Sequence, residues 1–313
     1  MPLCSIIIVT YNSGADIEAC LHALASRDCE IIVVDNASQD DTIACVKAVA
    51  VELPLKLIAL SRNVGFAAGI NHGARSASGD VLLMLNPDAI AEPDAVSNLM
   101  KCLERTRAGA AGGALLALDG EPARGFSFRR LPTLASLLFE AVLLNRVWPS
   151  NPVNRQYRCL DADYSRVQEV EQPAGACLAV TREIWDFVGG MDERFFPVWF
   201  EDVDLCARIR AAGQHIYYCP GARFLHGGAH SVGEITFANR QLYWYGNMLR
   251  YAAKHFSVWE VVVLRGGIVA GMLMRVIASL LGDRPRVVPL GGAIGSYSRV
   301  MMLALGMARP VSY

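Results

Sequence analysis

The first half of the chain alternates short apolar runs with amphipathic stretches. Ser5–Thr10 (SIIIVT), Glu30–Val34 (EIIVV), Leu55–Leu60 and Val81–Leu85 are too short for helices. They show little polar alternation, as strands buried on both faces do. Helical spacing follows over Asp16–Ala25, from a cap at Ser38 or Asp40 to about Val51, and from Gly65 to Ala77; Pro93 opens a further helix. This order predicts an α/β protein with a mostly parallel central sheet flanked by helices. The strands stop at Thr10-Tyr11-Asn12, Asp35, Asn63 and Asn86-Pro87-Asp88. Open α/β sheets bind ligands at these carboxyl ends. The turn preference of Asn and Asp explains one such stop more easily than four in succession.

The second half is less regular. Arg129-Arg130 and Pro132 precede an amphipathic helix over Leu134–Leu144, and a Pro/Asn-rich loop covers Pro149–Tyr157. Gly175–Thr181 has a strand pattern. A helix over Asp202–Ala212 stops at Gly213. Ile216–Cys219 is a short strand, followed by the polar, Gly-rich stretch Pro220–Ser231. Helical patterns run from Phe237 to the end.

The tail contains two apolar stretches, Val261–Leu281 and Val287–Ala308, interrupted by Arg265, Arg275, Arg284, Arg286 and Arg299. The run Gly266–Met274 falls far short of the roughly 20 residues that span a bilayer. The tail is therefore expected to lie in a membrane interface, apolar faces among lipid headgroups and Arg heads at phosphates. Packing on the rest of the chain or on another subunit is the alternative.

Composition removes some classes. Charged residues make up 19% and the formal charge is −1, with no Lys/Arg run to track phosphates, so nucleic acid is not an expected partner. The nine cysteines are odd in number and form no CxxC, which predicts reduced, mostly buried thiols in a cytosolic protein. The first residues enter a strand at once, without the basic-then-apolar pattern of a signal peptide.

Three acidic positions carry candidate chemistry. Asp35 can accept a nucleobase N–H or a ribose hydroxyl, or simply cap the next helix. Asp88, in Asn86-Pro87-Asp88, can hold Mg²⁺ or Mn²⁺ against a diphosphate, because these hard cations take oxygen ligands. Glu201-Asp202-Val203-Asp204 follows the aromatic run Phe195–Phe200. A carboxylate in apolar surroundings can have a raised pKa and act as a general base; the plain alternative is an acidic helix start. His226 and His230, in HGGAHS, can complete a metal shell or bind phosphate.

Taken together, the stretches IIIVTYNSG (6–14), IIVVDNASQDDT (31–42), SRNVGFAAGINHG (61–73), GDVLLMLNPDA (79–89), GGMDERFFPVWFEDVDLCARIRAAG (189–213) and HGGAHS (226–231) resemble family 2 of the inverting glycosyltransferases. The likeness covers about two-thirds of the chain and is nearest the rhamnosyltransferase-like branch. It implies the GT-A nucleotide-diphospho-sugar transferase fold. A catalytic domain would span 1–235, with a donor-binding half to about 115 and an acceptor half after it. A helical, apolar C-terminal extension would span 236–313.

The resemblance also implies roles. Thr10, Tyr11, Asn12 and Asp35 would line the base and ribose pocket. Asn63 and Gly69 would lie near ribose and diphosphate. Asp88 matches the last acid of a DxD metal motif whose first acid is replaced here by Asn86, and His226 would join the metal. Asp202 matches the catalytic base, with Glu201 and Asp204 orienting the site. The implied reaction moves a hexose, L-rhamnose from dTDP-L-rhamnose or a sugar from a UDP donor such as UDP-galactofuranose, to a lipid-linked saccharide in cell-wall or surface-polysaccharide synthesis. The implied place is the cytoplasmic face of the cell membrane. A sugar-nucleotide synthase would need a basic Gly-rich loop after the first strand, and YNSGAD has neither Lys nor Arg. A catalytically silent nucleotide-sugar-binding module would not need Asp35, Asp88 and Asp202 together.

Overall fold

The computed structural model describes residues 3–25, 29–117, 119–227, 233, 235–283 and 288–311. They form two compact units. The first comprises Met1–Leu131, Arg158–Glu193 and Glu201–Val232; the second comprises Pro132–Tyr157, Arg194–Phe200 and Gly233–Tyr313. The helical unit thus includes two earlier segments besides the C-terminal stretch.

The first unit begins β1 (Cys4–Thr10), α1 (Gly14–His22), β2 (Cys29–Asp35), α2 (Thr42–Val49), β3 (Lys56–Ala59), α3 (Phe66–Ser76), β4 (Val81–Leu85), β5 (Ala89–Ala91), α4 (Ala95–Thr106), β6 (Ala110–Leu116) and β7 (Phe128–Arg129). The second unit then takes α5 (Leu134–Ala141), α6 (Leu144–Val147) and α7 (Pro152–Tyr157). The first resumes with β8 (Gln168–Glu169), β9 (Gln172–Pro173), β10 (Cys177–Thr181), α8 (Arg182–Val188), α9 (Glu201–Ala211) and β11 (Ile216–His226). The second closes with α10 (Phe237–His255), α11 (Val258–Leu280) and α12 (Leu290–Ala304).

The main sheet runs β3-β2-β1-β4-β10-β6-β11-β5, with β8 on β11. From β3 to β4 it is parallel, as the early βα alternation predicts. Successive side chains of a strand point to opposite faces. Accordingly Ile6, Ile8, Val33 and Leu83 belong to one apolar cluster, and Ile7, Val9, Ile32, Val34 and Met84 to the other. Burying each such side chain contributes about 1.5–3 kcal/mol.

Three departures from the sequence reading bear on the site. First, β10 lies antiparallel between β4 and β6, pairing Cys177 with Leu85 and Leu178 with Gly112. Second, β11 does not end at Cys219. It shifts register between Cys219 and Arg223, at Pro220-Gly221, and continues to His226. The proline and glycine that read as a loop sit at this irregularity, where sheets tolerate them. Third, Cys102 of α4 and Cys219 of β11 form a disulfide. Their separation of 117 residues hid the pairing and overturns the expectation that all thiols are reduced.

In the second unit, α5 starts with reciprocal capping by Thr133 and Ser136 and ends sooner than its pattern suggests, before the left-handed Leu143 (φ 63°). Helix α11 has 23 residues and is, among the described residues, long and apolar enough to cross a membrane by length and composition. The apolar run inside it underestimated its length because Arg265 and Arg275 lie within the helix. Both arginines turn inward. Arg265 donates to the Ala304 carbonyl (2.7 Å), and Arg275 to the Ala141 carbonyl (2.5 Å) while covering the Tyr245 ring. They satisfy carbonyls at the ends of α12 and α5, so they do not serve as the outward phosphate anchors expected of them. The outward face of α11 is instead apolar, with Trp259, Val262, Val263, Met274 and Ile277 exposed. Arg299 is exposed on α12, whereas Arg284 and Arg286 lie outside the described residues.

Candidate active site

All the residues described next belong to the first unit. At the end of β1 and β2, Thr10 and Asp35 are register partners and fully buried. Asp35 Oδ1 accepts from the Thr10 hydroxyl (3.0 Å) and the Ser38 hydroxyl (2.5 Å), and Oδ2 from the Ser38 backbone N–H (3.0 Å). Ser38 therefore serves Asp35 and does not cap α2. The N-cap is Asp41, without a side-chain cap bond, and Asp40 one residue earlier accepts from the Thr42 N–H at 3.1 Å. Asn12 adopts a left-handed φ of 49°, which Asn tolerates. Its N–H donates to Ser38 Oγ and its Oδ1 accepts from the Gln39 N–H, each at 2.9 Å. Tyr11 is half-buried, with its N–H on Ser13 Oγ at 3.3 Å.

The end of β3 is organised by two asparagines. Asn63 Oδ1 accepts from the Gly65 N–H (2.9 Å), and Asn36 Oδ1 from the Val64 N–H (2.7 Å). Gly65, at φ 85°, turns the chain into α3. Gly69 serves packing: an added Cβ would come within 2.9 Å of Val9 Cγ1. The glycine lets α3 lie close on β1.

Asn86, Asp88 and His226 converge at the end of β4. His226 pairs in register with Ala89 of β5. Its Nε2 lies 3.4 Å from Asp88 Oδ1 and 3.3 Å from Asn86 Nδ2. The Asp88 and His226 side chains are 9% and 8% exposed, so the pair is shielded yet reachable. Burial pushes the His226 pKa down despite the opposing pull of Asp88. The ring is therefore neutral near pH 7, as a ligand imidazole must be. No group of three or more His, Cys, Asp or Glu converges among the described residues. His230 lies outside them.

Asp202 sits in the first turn of α9, half-buried. Its Oδ2 accepts from the Gly175 N–H (2.8 Å) and faces Gln172 Nε2 (3.4 Å), while Oδ1 accepts from the Val203 N–H (2.8 Å). Burial raises its pKa; the two N–H donors and the positive charge of Arg129 pull it partly back. Glu201 is buried, and burial plus the Asp202 charge raise its pKa well above the ordinary range. Its Oε2 has no hydrogen-bond partner among the described residues. Asp204 points elsewhere, holding Arg208 at 2.8 Å, which in turn donates to the Val188 carbonyl. It ties α9 to the end of α8.

Sequence reading did not assign Ser38, Asn36, Phe126, Arg129, Gln172 or Gly175 to the site. Phe126 stacks on His226 (5.3 Å), and the Arg129 guanidinium lies 6.0 Å from the Phe126 ring. Arg129 and Gln172 face each other across β7 and β9, strands of two residues each. Two residues leave no periodicity to detect. The Arg129-Arg130 pair was the available signal.

Residues 5–154 match the family model described as glycosyl transferase family 2. Over 91% of its length the chain is 30% identical to the N-acetylglucosaminyl-diphospho-decaprenol L-rhamnosyltransferase of Mycobacterium tuberculosis, covering 96% of that protein. Over 58% it is 26% identical to the rhamnosyltransferase WbbL of Escherichia coli, covering 64% of that protein. Among solved structures it resembles the mannosyltransferase PcManGT of Pyrobaculum calidifontis in complex with GDP-Man and Mn²⁺. The TM-score is 0.55 at 18% identity, covering 97% of this chain and 81% of that one. Residues 1–349 of S. aureus TarS give 0.52 at 14% identity, covering 98% and 92%.

Proposed function

The chain belongs to glycosyl transferase family 2 and has the GT-A fold, and from that premise we propose that it transfers L-rhamnose from dTDP-L-rhamnose, with inversion, to a lipid-linked N-acetylglucosaminyl diphosphate. That it is a glycosyltransferase follows from the family. The observation that carries the chemistry is Asp202, a half-buried carboxylate with a raised pKa, fixed by the Gly175 N–H. The sugar and acceptor rest on the similarity to the mycobacterial rhamnosyltransferase.

In this reading Asp202 accepts the proton of the acceptor hydroxyl. The oxygen attacks the anomeric carbon from the face opposite the diphosphate, the bond to the diphosphate breaks, and configuration inverts in one displacement. The Gly175 N–H stabilises the charged form of Asp202 and fixes its direction. Thr10, Tyr11, Asn12, Asp35, Asn63 and Asn86 lie at the strand ends that would hold the nucleotide.

The pair at the end of β4 supports a role for Mg²⁺ or Mn²⁺: one carboxylate and one neutral imidazole lie together, leaving further positions to phosphate oxygens. Asp88 and His226 would hold the ion. When bound, it would neutralise charge on the departing diphosphate. The apolar outward face of α11 supports a peripheral position on the cytoplasmic face of the membrane, where a lipid-linked acceptor resides.

The test is turnover with dTDP-L-rhamnose, UDP-galactofuranose and other nucleotide sugars on a polyprenyl-diphosphate N-acetylglucosamine acceptor. Rhamnosyl transfer with inverted configuration is expected. Clear preference for a UDP-sugar overturns the donor assignment.

A further inference from the structure

Three consecutive residues of the first unit, Ala174, Gly175 and Ala176, gather three parts of the site through their backbone. The Ala174 N–H donates to the Ser127 carbonyl (3.1 Å) and the Gly175 N–H to Asp202 Oδ2 (2.8 Å). The Ala176 carbonyl accepts from the Asn86 N–H (3.0 Å). One short turn therefore holds Asp202, the end of β4 and the residue that follows Phe126.

Phe126 is an apolar side chain at this junction. It is 38% exposed, although Gly125 and Ser127 on either side of it are buried. Its loop is braced from within the same unit. The Phe126 N–H donates to the Ala123 carbonyl (3.0 Å), the Gly125 N–H to the Tyr164 hydroxyl (2.9 Å), and the Ser127 hydroxyl to the Leu115 carbonyl (3.0 Å). The ring stacks on His226 at 5.3 Å with 28° between the planes, and His226 lies 3.4 Å from Asp88. A fixed aromatic ring, open to solvent beside a few convergent polar groups, is the composition of a small-ligand subsite.

The chemistry of displacement says which part of a ligand lies there. In the proposed reaction the diphosphate departs at Asp88 and His226, and the acceptor oxygen enters at Asp202. The transferred sugar must lie between the two. Phe126 touches His226, and its chain neighbour is tied to the turn that holds Asp202, so the ring borders that space.

We propose that Phe126 is a specificity-determining residue whose ring packs against the apolar C–H face of the transferred sugar. This rests on the assignment of Asp88 and His226 to the diphosphate and of Asp202 as base. A sugar ring carries hydroxyls around its rim and C–H bonds on its faces. A phenyl ring covers such a face without requiring a hydrogen bond. A 6-deoxyhexose such as rhamnose adds a methyl group to the apolar surface on offer.

The experiment compares the full-length wild type with Phe126→Ala, Phe126→Leu and Phe126→Tyr, and with Asp88→Ala as reference. Calorimetry in Mn²⁺ without acceptor gives the affinities for dTDP-L-rhamnose and dTDP, and for UDP-galactofuranose and UDP as a second pair. Acceptor KM and Tm are measured alongside. The quantity read is the ratio of nucleotide-sugar affinity to nucleotide affinity. Phe126→Ala should lower that ratio about tenfold or more, the scale of a lost apolar contact in a pocket, with dTDP affinity unchanged. Phe126→Leu should lose less, and Phe126→Tyr, which keeps the ring, less again.

An unchanged ratio in Phe126→Ala overturns the proposal. So does an equal loss of affinity for dTDP and dTDP-L-rhamnose, which would mean that the ring only supports His226. A raised acceptor KM with an unchanged ratio overturns it too, by giving the ring to the acceptor. If Phe126→Ala does not fold, Phe126→Leu decides on the same terms. If the wild type prefers the UDP pair, the donor assignment fails and the ratio is read on that pair. Asp88→Ala binding dTDP like the wild type refutes the diphosphate assignment and this proposal with it. An unchanged ratio beside a weakened Asp88→Ala refutes this inference alone.

Discussion

Asp202 and Gly175 are tied by a 2.8 Å hydrogen bond from the glycine N–H to Oδ2. An added Cβ at position 175 would come within 3.0 Å of Asp202 Cβ and 3.2 Å of Oδ2. The contact joins the turn before β10 to the start of α9, and a side chain at position 175 would require Asp202 to give way. The Asp202 carboxylate, the proposed base, is thus held by backbone, which cannot rotate away as a side chain can.

Asp202→Asn keeps the size of the side chain and removes its capacity to take a proton. It should lower kcat by about 10²–10⁴-fold, the usual worth of a general base, while dTDP affinity stays near wild type. Steady-state turnover with parallel calorimetry checks this. Substantial turnover in Asp202→Asn alongside a dead Glu201→Gln would mean the two acids exchange roles.

Burial raises the Asp202 pKa above its ordinary 3.8, and Arg129 pulls it back. In the proposed role Asp202 must be deprotonated to take a proton, so the acidic limb of the kcat profile should lie above pH 3.8. Arg129→Gln removes the opposing charge, so that limb should move to higher pH. An unmoved limb would show that Arg129 does not act on the base.

Glu201 titrates against the fold. Its folded pKa is raised well above 4.5 by burial and the Asp202 charge. Between the unfolded and folded values the folded state binds more protons, so the group's contribution to stability falls as pH rises. Glu201→Gln removes that penalty. Its Tm relative to wild type should be higher at pH 8 than at pH 4, as differential scanning calorimetry would show. A difference independent of pH would mean Glu201 is not buried as a titrating acid.

Asp88→Ala should weaken dTDP binding by at least roughly tenfold in Mn²⁺ and make binding insensitive to EDTA, whereas wild-type binding should fall on chelation. His226→Ala should act in the same direction. Wild-type binding and turnover unaffected by EDTA would remove the metal from the reaction.

The exposed face of α11 should bind anionic vesicles through its apolar side chains. Val263→Glu with Met274→Glu should reduce co-sedimentation without lowering Tm. Arg275→Ala should act oppositely, lowering Tm by losing its bonds to the Ala141 and Gly271 carbonyls. Equal sedimentation of the double variant and wild type would leave this face to protein packing.

The parallel run of strands and the polar residues that close it are legible in the order of residues alone. Continuous apolar runs such as SIIIVT and VLLML are readable because burial on both faces forces every side chain to be apolar. Thr10, Asp35, Asn63 and Asp88 are found by position at the strand ends, and the acidic start of α9 by its place after the aromatic run. The remaining features depend on partners distant in the chain. The passage of β11 beyond Pro220-Gly221 sets His226 beside Asp88, 138 residues away, a placement that local composition argued against. The antiparallel insertion of β10 accompanies the contact of Gly175 with Asp202, and the disulfide joins Cys102 to Cys219. Arg265 and Arg275 read as outward anchors because a pattern records spacing but not direction, and direction is set by carbonyls on α12 and α5. Periodicity reports which face of an element is buried; which other element covers that face depends on topology, and no single segment carries it.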